Sequence, residues 1–170
     1  MPWRLGGELD TQAAGAVLAS QLKVGDVIGL VGDLGAGKTT FVRGLMGGLY
    51  TRSGLEASGG EAQVSSPTYT LMQSYSCPTR CDIEQVLHVD LYRLEDSDDL
   101  ESTGYWDAIE EVSVVVVEWV ENIPNAWPGD GFRVELAHEG DGRLLEVTWE
   151  GAPSTRLEPL KLALDAAFGE

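Results

Sequence analysis

The residues of this chain that are best suited to chemistry lie in one glycine-rich run near its start. Residues 32–39 read GDLGAGKT and match the phosphate-binding pattern G-x-x-x-x-G-K-[ST]. Glycines let successive backbone N–H groups point at one anion, and the dipole of a following helix adds to that attraction. Lys38 would reach the β- and γ-phosphates of a nucleotide, while the Thr39 hydroxyl would bind Mg²⁺. We therefore predict a nucleotide site with contacts from Asp33, Leu34, Gly35, Ala36, Gly37, Lys38, Thr39 and Thr40.

The elements on either side of this run are those that the motif requires. Residues 26–31 form a short apolar run typical of a buried strand, and residues 40–46 have the apolar spacing of a helix. The alternative is a glycine-rich turn between a strand and a helix that carries a lysine by chance. Because the motif and both flanks coincide, nucleotide binding is the better interpretation.

Two acidic residues stand at the ends of predicted strands. Glu118 ends the β-branched run 112–118, which is typical of a central strand buried on both faces, and Asp90 follows His88 and Val89 in the same way. Since α/β folds carry their chemistry at strand ends, we expect both side chains to be reachable by solvent beside the glycine-rich run. Either one could hold the metal ion or its water. The alternative for each is a helix N-cap or an exposed edge residue.

Residues 65–70 are rich in hydroxyl groups and contain Pro67, which restricts the backbone just before a predicted strand. Nucleotide hydrolases use such segments as switches that order around the γ-phosphate and its Mg²⁺. Thr68 is the candidate contact within the segment. A plain turn at the entry to the strand is an equally good interpretation of the local pattern.

The remaining patterns mix strands with helices, which indicates an α/β fold. We predict a three-layer sandwich of the P-loop NTPase type in one domain, 1–170, with a mixed, mostly parallel sheet, an antiparallel hairpin and helices on both faces. Further strands are expected at 3–5, 69–75, 86–91, 132–137 and 144–149. Further helices are expected at 12–21, with Asp10 or Thr11 as N-cap, at 95–111, with a break near Gly104, and at 156–168. Residues 51–63 are expected to form a mobile loop.

The charge of the chain limits its partners. Lys and Arg total 11 against 28 Asp and Glu, for a formal net charge of −17. Affinity for nucleic acid comes largely from neutralising phosphates, so we expect no strong direct binding to tRNA or DNA. The excess of acidic residues forms either a solvated surface or a patch that binds a basic partner. The sequence shows no secretory or membrane-spanning pattern, and we expect a cytoplasmic protein.

Cys77 and Cys81 are the two cysteines of the sequence. A lone C-x-x-x-C pair offers too few ligands for structural zinc. We expect two free thiols in a surface loop, with a reversible disulfide as the alternative.

Four blocks of the sequence, in the same order, resemble the TsaE family, also called YjeE. They are GDLGAGKTT at 32–40, SPTYTL at 66–71, HVDLYRL at 88–94 and Glu118-Trp119. The resemblance covers roughly Leu9 to Pro124. The chain departs from the short family pattern in a long loop before Val64 and in the cysteine loop between Tyr75 and Val86.

The resemblance implies a small bacterial P-loop ATPase that uses ATP and Mg²⁺ and is needed to make threonylcarbamoyladenosine in tRNA. Members of the family bind the complex of TsaB with TsaD, which transfers the threonylcarbamoyl group, and ATP hydrolysis resets that complex for further turnovers. The tRNA would then be held by the partners. By position, the resemblance makes Lys38, Asp90 and Glu118 catalytic residues, Thr39 and Glu118 metal ligands, 66–70 the switch and Trp119 a neighbour of the nucleotide.

Other functions are compatible with the same motif. A GTPase would carry an N-K-x-D element, but neither Asn122 nor Asn125 is followed by lysine. A small-molecule kinase is the stronger alternative, because a phosphate loop does not choose between water and an acceptor hydroxyl. Such kinases bring several arginines to the phosphates, and only Arg43, Arg80 and Arg93 are near candidates. A third class is a binding module gated by nucleotide, in which hydrolysis is incidental.

Overall fold

The strand-forming runs of the sequence assemble into one mixed sheet in the computed structural model, which describes residues 1–78 and 80–169. Within these residues the sheet has seven strands. They are β1 (Trp3–Leu5), β2 (Val27–Val31), β3 (Met72–Ser76), β4 (Gln85–Asp90), β5 (Val114–Glu118), β6 (Gly131–Glu139) and β7 (Gly142–Glu150). Their spatial order is β1-β7-β6-β2-β5-β4-β3.

The middle of the sheet is parallel and its two sides are antiparallel. β2 lies between β5 and β6 and is parallel to both, and β4 is parallel to β5. β3 pairs with β4 in antiparallel register, and β7 pairs in the same manner with β6 and β1. The predicted α/β fold and the predicted hairpin of β3 and β4 are therefore confirmed, and β6 and β7 add a second hairpin.

Helices cover both faces of the sheet. They are α1 (Glu8–Gln21), α2 (Lys38–Arg52), α3 (Ala57–Glu61), α4 (Ser97–Ser102), α5 (Tyr105–Glu110) and α6 (Leu157–Phe168), with a 3₁₀ turn at Val120–Asn122. The side chains of β5 alternate between the two layers: Val114 and Val116 pack with α1, α2 and α6, and Val115 and Val117 pack with α4 and α5. By the same alternation, the even-numbered residues of β4 and β5 lie on the α2 face.

Helices α1 and α2 pack closely because small residues meet at their contact. A Cβ atom at Gly44 would overlap the backbone of Gln12, and one at Gly15 would overlap the carbonyl of Phe41. This contact fixes the first half of α2 and with it the end of the glycine-rich run that precedes the helix.

Two predicted boundaries are wrong. Helix α1 begins at Glu8 rather than at residue 12, and Gly7 is its N-cap residue. Asp10 accepts a hydrogen bond from the Gly6 N–H instead of capping the helix, and Thr11 donates to the Gly7 carbonyl. Strand β3 begins at Met72 rather than at residue 69, because the N–H of Leu71 closes a turn onto the Pro67 carbonyl.

The prediction of a loop at 51–63 is also wrong, because much of this segment is helical. Helix α2 continues to Arg52, and residues 57–61 form α3. Gly60 lets α3 approach α2 so closely that a Cβ atom there would overlap the Met46 carbonyl. The Gln63 amide then donates to the Tyr50 hydroxyl and to the Ser76 carbonyl. These tertiary contacts order a segment whose sequence has no periodicity.

The break expected near Gly104 is confirmed. Helix α4 ends at Ser102, α5 begins at Tyr105, and Gly104 adopts a φ of 76°, a left-handed conformation that glycine takes without steric cost. Among residues 1–78 and 80–169, no helix has the length and apolarity needed to cross a bilayer.

The cysteines are free thiols, as expected, but they are less exposed than a surface loop implies. Cys81 is buried and Cys77 is half-buried. Burial raises the pKa of the Cys77 thiol to about 12. Thr79, between them, lies outside the described residues.

Candidate nucleotide-binding site

The glycine-rich run forms a loop that joins the carboxyl end of β2 to the start of α2. Gly35 and Gly37 have φ values of 76° and 105°, where an L side chain would be strained. At Gly32 a Cβ atom would overlap the carbonyl of Leu136. The loop therefore needs glycine at these positions for conformation and for space.

The backbone amides of this loop are available to a ligand. The Ala36 N–H donates to the Asp33 carbonyl at 3.0 Å, and the Phe41 N–H bonds to the Gly37 carbonyl at 2.8 Å. In the part of the chain that the structure describes, no such partner is found for the amides of Gly35, Gly37, Lys38 and Thr39. Four donors at a helix N-terminus are suited to the oxygens of a phosphate group.

Lys38 lies inside the site rather than in solvent, with 6% of its surface exposed. Its Nζ donates to the carbonyls of Gly32 and Asp33, at 2.5 and 3.0 Å, and lies 4.2 Å from the ring centre of Trp119. Burial lowers the pKa of Lys38, and the nearby carboxylates of Glu118 and Asp90 oppose that lowering. The ammonium group is thus held over the loop.

The two candidate carboxylates stand side by side at the ends of neighbouring strands. In the parallel registers, Glu118 is level with Leu30 of β2 on one side and with Asp90 of β4 on the other. Adjacent strands are ~4.8 Å apart, so both acids share one edge of the sheet. Their side chains lie on the α2 face and line the same cavity as Lys38.

The prediction that both acids are readily reached by solvent is wrong. Asp90 and Glu118 are each only 3% exposed. Asp90 accepts hydrogen bonds from the Thr68 hydroxyl at 2.7 Å and from the Tyr92 N–H at 2.9 Å, and these groups cover it. Glu118 is covered by a buried histidine.

That histidine, His88, is the residue of the site that the sequence did not reveal as a participant. It has no exposed surface, and its Nε2 lies 2.9 Å from a carboxylate oxygen of Glu118. Its Nδ1 lies 2.9 Å from the hydroxyl of Tyr75 on β3. The available signal was its position: it is a polar residue between the apolar Leu87 and Val89, two places before Asp90 and therefore on the same face.

The switch segment, residues 65–70, is tied to the carboxylates in this structure. The Thr68 hydroxyl bonds to Asp90, and Ser66 shares a 2.8 Å hydrogen bond with Thr68. Tyr69 at the centre of the segment is 84% exposed. The segment thus contains a turn and also contacts Asp90, and its role as a switch stays a prediction.

One cavity of about 250 Å³ brings most of the predicted site together. The Trp119 ring forms one wall, and it packs at a tilt of 48° against Tyr92 with ring centres 5.0 Å apart. Of the predicted contacts, Asp33 and Ala36 are not among its lining residues in the described chain; Ala36 is fully buried, and Asp33 offers its carbonyl to Lys38. The lining consists of Leu34, Gly35, Gly37, Lys38, Thr39, Thr40, Ser66, Thr68, Asp90, Glu118 and Trp119.

A second cavity of about 180 Å³ adjoins the other side of the loop. Glu8 and Thr11 of α1 and Arg143 of β7 line it together with Gly35, Gly37 and Thr40. The guanidinium of Arg143 donates to the carbonyls of Gly35 and Ala36, at 3.2 and 3.0 Å. Arg143 is distant in sequence, so its support of the loop could not be read from the motif.

The donor set fits a magnesium ion that binds together with phosphate. The hydroxyl of Thr39 and the carboxylate of Glu118 are hard oxygen donors of the kind that Mg²⁺ prefers. Within the described chain, no three His, Cys, Asp or Glu side chains are grouped as a metal-binding set. A site with few protein ligands suits an ion that takes its remaining ligands from phosphates and water.

Comparison with known families identifies the type of protein. The family model described as threonylcarbamoyl adenosine biosynthesis protein TsaE matches residues 6–145. The chain belongs to the TsaE family. This confirms the resemblance carried by the four sequence blocks and extends it into β7.

Curated members of the TsaE family match over most of the chain. The tRNA threonylcarbamoyladenosine biosynthesis protein TsaE of Mycobacterium leprae is 37% identical over 83% of this chain and 84% of its own length. The protein of the same name from Bacillus subtilis is 34% identical over 83% and 80%. The one from Haemophilus influenzae is 36% identical over 69% of this chain and 66% of its own.

A solved structure supports the fold. The crystal structure of YdiB from Bacillus subtilis matches with a TM-score of 0.68 and 27% identity, over 98% of this chain and 95% of that one. The three-layer α/β arrangement is thus shared by this TsaE family member and that protein.

Trp119 provides a direct test of where the nucleotide binds. Its ring lies next to Lys38, so nucleotide binding should change tryptophan emission, and Trp119→Phe should remove most of that change. The other four tryptophans stay in place, and Trp149→Phe is the matched control because Trp149 packs on Phe132 instead. Calorimetry should show that both variants still bind nucleotide. A change in emission that survives Trp119→Phe would place the nucleotide elsewhere.

Proposed function

We propose that this chain is an ATPase of tRNA threonylcarbamoyladenosine biosynthesis, which binds the TsaD–TsaB complex and resets it for turnover by hydrolysing ATP. The observation that carries the proposal is a single cavity lined by the phosphate loop, Lys38, two buried carboxylates and a switch threonine. Family membership supports the pathway. The loop amides, Lys38, Thr39, Asp90 and Glu118 each have a part in the proposed reaction.

The phosphate loop and Lys38 bind the triphosphate. Hydrolysis forms a bond between a water oxygen and the γ-phosphorus and breaks the bond from that phosphorus to the β–γ bridging oxygen, which leaves with ADP while the water proton goes to the released phosphate or to solvent. Because the transition state is loose, the protein contributes mainly position and charge. The free amides of the loop and the Lys38 ammonium supply donors and charge to the β- and γ-phosphates.

Glu118 and Asp90 have different roles in the proposed reaction. Thr39 and Glu118 would hold Mg²⁺, which when bound neutralises charge on the phosphate oxygens. Asp90 is fixed by the Thr68 hydroxyl and the Tyr92 N–H, so its position depends on the switch segment. We assign Asp90 the task of orienting the attacking water.

Many nucleotide hydrolases place an arginine beside the phosphate that is transferred. Within the described residues, no arginine lines the cavity of Lys38 and Glu118. Arg93 lies instead over the ring of Tyr69, 4.1 Å from its centre, and Arg143 supports the back of the loop. The isolated chain should therefore hydrolyse ATP slowly, and a partner that orders the switch or adds positive charge should accelerate it.

The lining also favours hydrolysis over small-molecule phosphoryl transfer. A kinase that brings arginines to the phosphates would place them beside the loop, and those named by the sequence do not line the cavity in the described chain. The net charge of −17 is consistent with a protein that leaves tRNA binding to its partners.

Steady-state ATP hydrolysis, measured with and without purified TsaD and TsaB of the same organism, tests the proposal. We expect the partners to raise turnover at saturating ATP by about tenfold or more, since an arginine supplied in trans can contribute up to ~10⁵. The mixture should lose this activity when the chain carries Lys38→Ala. If the isolated chain hydrolyses ATP as fast as the mixture, the proposed stimulation by the partners is wrong. An enzyme that acts alone, such as a small-molecule kinase, then becomes the better interpretation.

A further inference from the structure

A continuous series of buried hydrogen bonds joins Glu118 to the start of the switch segment. Glu118 bonds to Nε2 of His88, and Nδ1 of His88 bonds to the hydroxyl of Tyr75, each at 2.9 Å. The same hydroxyl lies 3.0 Å from the backbone carbonyl of Ser65. His88 and Tyr75 are 0% and 3% exposed, so water does not replace these contacts.

Few hydrogens are available along this series. Burial raises the pKa of Tyr75 to about 12, so near neutral pH its hydroxyl keeps one hydrogen. Three acceptors surround that hydrogen: the Ser65 carbonyl, the Gln73 side-chain oxygen at 3.2 Å and Nδ1 of a His88 ring that donates from Nε2. In the tautomer in which Nε2 donates to the Glu118 carboxylate and Nδ1 carries no hydrogen, Nδ1 competes with the Ser65 carbonyl for the hydrogen of the Tyr75 hydroxyl.

The switch segment is therefore anchored at two points. Its beginning is tied to Glu118 through Tyr75 and His88, and Thr68 is tied directly to Asp90. Both anchors end on a carboxylate of the proposed nucleotide site. A change in the contacts of Glu118 alters the hydrogen bonds of His88. Through Tyr75, it also alters the hydrogen bond that anchors the Ser65 carbonyl.

We propose that His88 and Tyr75 are positioning residues that couple Glu118 to the switch segment, so that metal–nucleotide binding and the anchoring of residues 65–70 influence each other. The inference rests on the proposed nucleotide site. Tyr75 touches neither phosphate nor metal in this scheme. Its effect is exerted through His88 on one side and Ser65 on the other.

Tyr75→Phe tests the anchoring without any ligand. The variant removes one hydroxyl and keeps the ring, and Tyr105→Phe is the matched control: Tyr105 is equally buried, but its hydroxyl donates to Ala126 on the opposite face of the sheet. Chymotrypsin cleavage after the exposed Tyr69, identified by mass spectrometry, reports the freedom of the switch. Loss of one hydrogen bond should raise cleavage about 3- to 10-fold in Tyr75→Phe and leave Tyr105→Phe at the wild-type rate.

The coupling is tested by ATP affinity with and without Mg²⁺, measured by calorimetry. In wild type and Tyr105→Phe, Mg²⁺ should tighten binding by the same factor. In Tyr75→Phe that factor should fall about 3- to 10-fold, while affinity without Mg²⁺ stays unchanged.

Each result has a distinct meaning. If Tyr75→Phe matches Tyr105→Phe in both measurements, the positioning role is overturned. If cleavage rises but the Mg²⁺ factor stays at the wild-type value, the coupling is overturned while ATP binding stands. Wild-type protein that binds no ATP would overturn the proposed function itself, and the coupling with it.

Discussion

Lys38→Ala should abolish ATP hydrolysis, lowering turnover by at least about 100-fold in the presence of the partner proteins. The reason is the position of this side chain. It is nearly buried, the carbonyls of Gly32 and Asp33 fix its ammonium group over the loop, and it is the cation that lines the cavity in the described chain. Among the described residues, no other cationic side chain lines the cavity to take over its charge on the γ-phosphate.

Lys161→Ala is the matched control for this variant. Lys161 is partly exposed on α6, away from the cavity, and among the described residues its ion pair is with Glu158 one helical turn away, so its loss should leave turnover unchanged. Circular dichroism should show both variants folded. A Lys38→Ala protein that hydrolyses ATP like wild type would refute the assignment of the site.

Glu118→Gln should lower turnover by about 100-fold and raise the Mg²⁺ concentration needed for half-maximal activity. The amide has nearly the size of the carboxylate and can still bond to His88, so the variant removes chiefly the charge. Asp90→Asn should lower turnover as well but shift the Mg²⁺ requirement less, because Asp90 is assigned to the water.

Glu121→Gln is the control for charge near the site. Glu121 also acts on the pKa of Lys38, but it is exposed on the 3₁₀ turn after Trp119. Its loss should change neither turnover nor the Mg²⁺ requirement appreciably. Normal turnover of both Glu118→Gln and Asp90→Asn, with no shift in Mg²⁺ requirement, would contradict the metal site.

The sequence predicts the parts of the site that are local in the chain. The phosphate loop is set by glycines whose conformation and spacing are fixed within eight residues, and its flanking strand and helix follow from local apolar patterns. The β-branched run 112–118 likewise predicts a central strand, and β5 lies between β2 and β4. The position of Glu118 beside the loop follows from that placement.

The rest depends on contacts between distant segments. The role of His88 appears only when the register of β3, β4 and β5 brings Tyr75 and Glu118 to its two nitrogens. Burial of Asp90 depends on the turn at 67–71, which places Thr68 over it. The helix α3 is too short to show periodicity and is held by its packing on α2.

In the proposed function, ATP hydrolysis by this chain resets the transferase. The most direct measurement is the amount of threonylcarbamoyladenosine formed in tRNA per TsaD–TsaB complex, with a threonylcarbamoyl donor in excess. We expect many turnovers with the wild-type chain and ATP, and about one with Lys38→Ala or with an ATP analogue that cannot be hydrolysed. Repeated turnover under those blocked conditions would contradict the proposed function and favour a binding module in which hydrolysis is incidental.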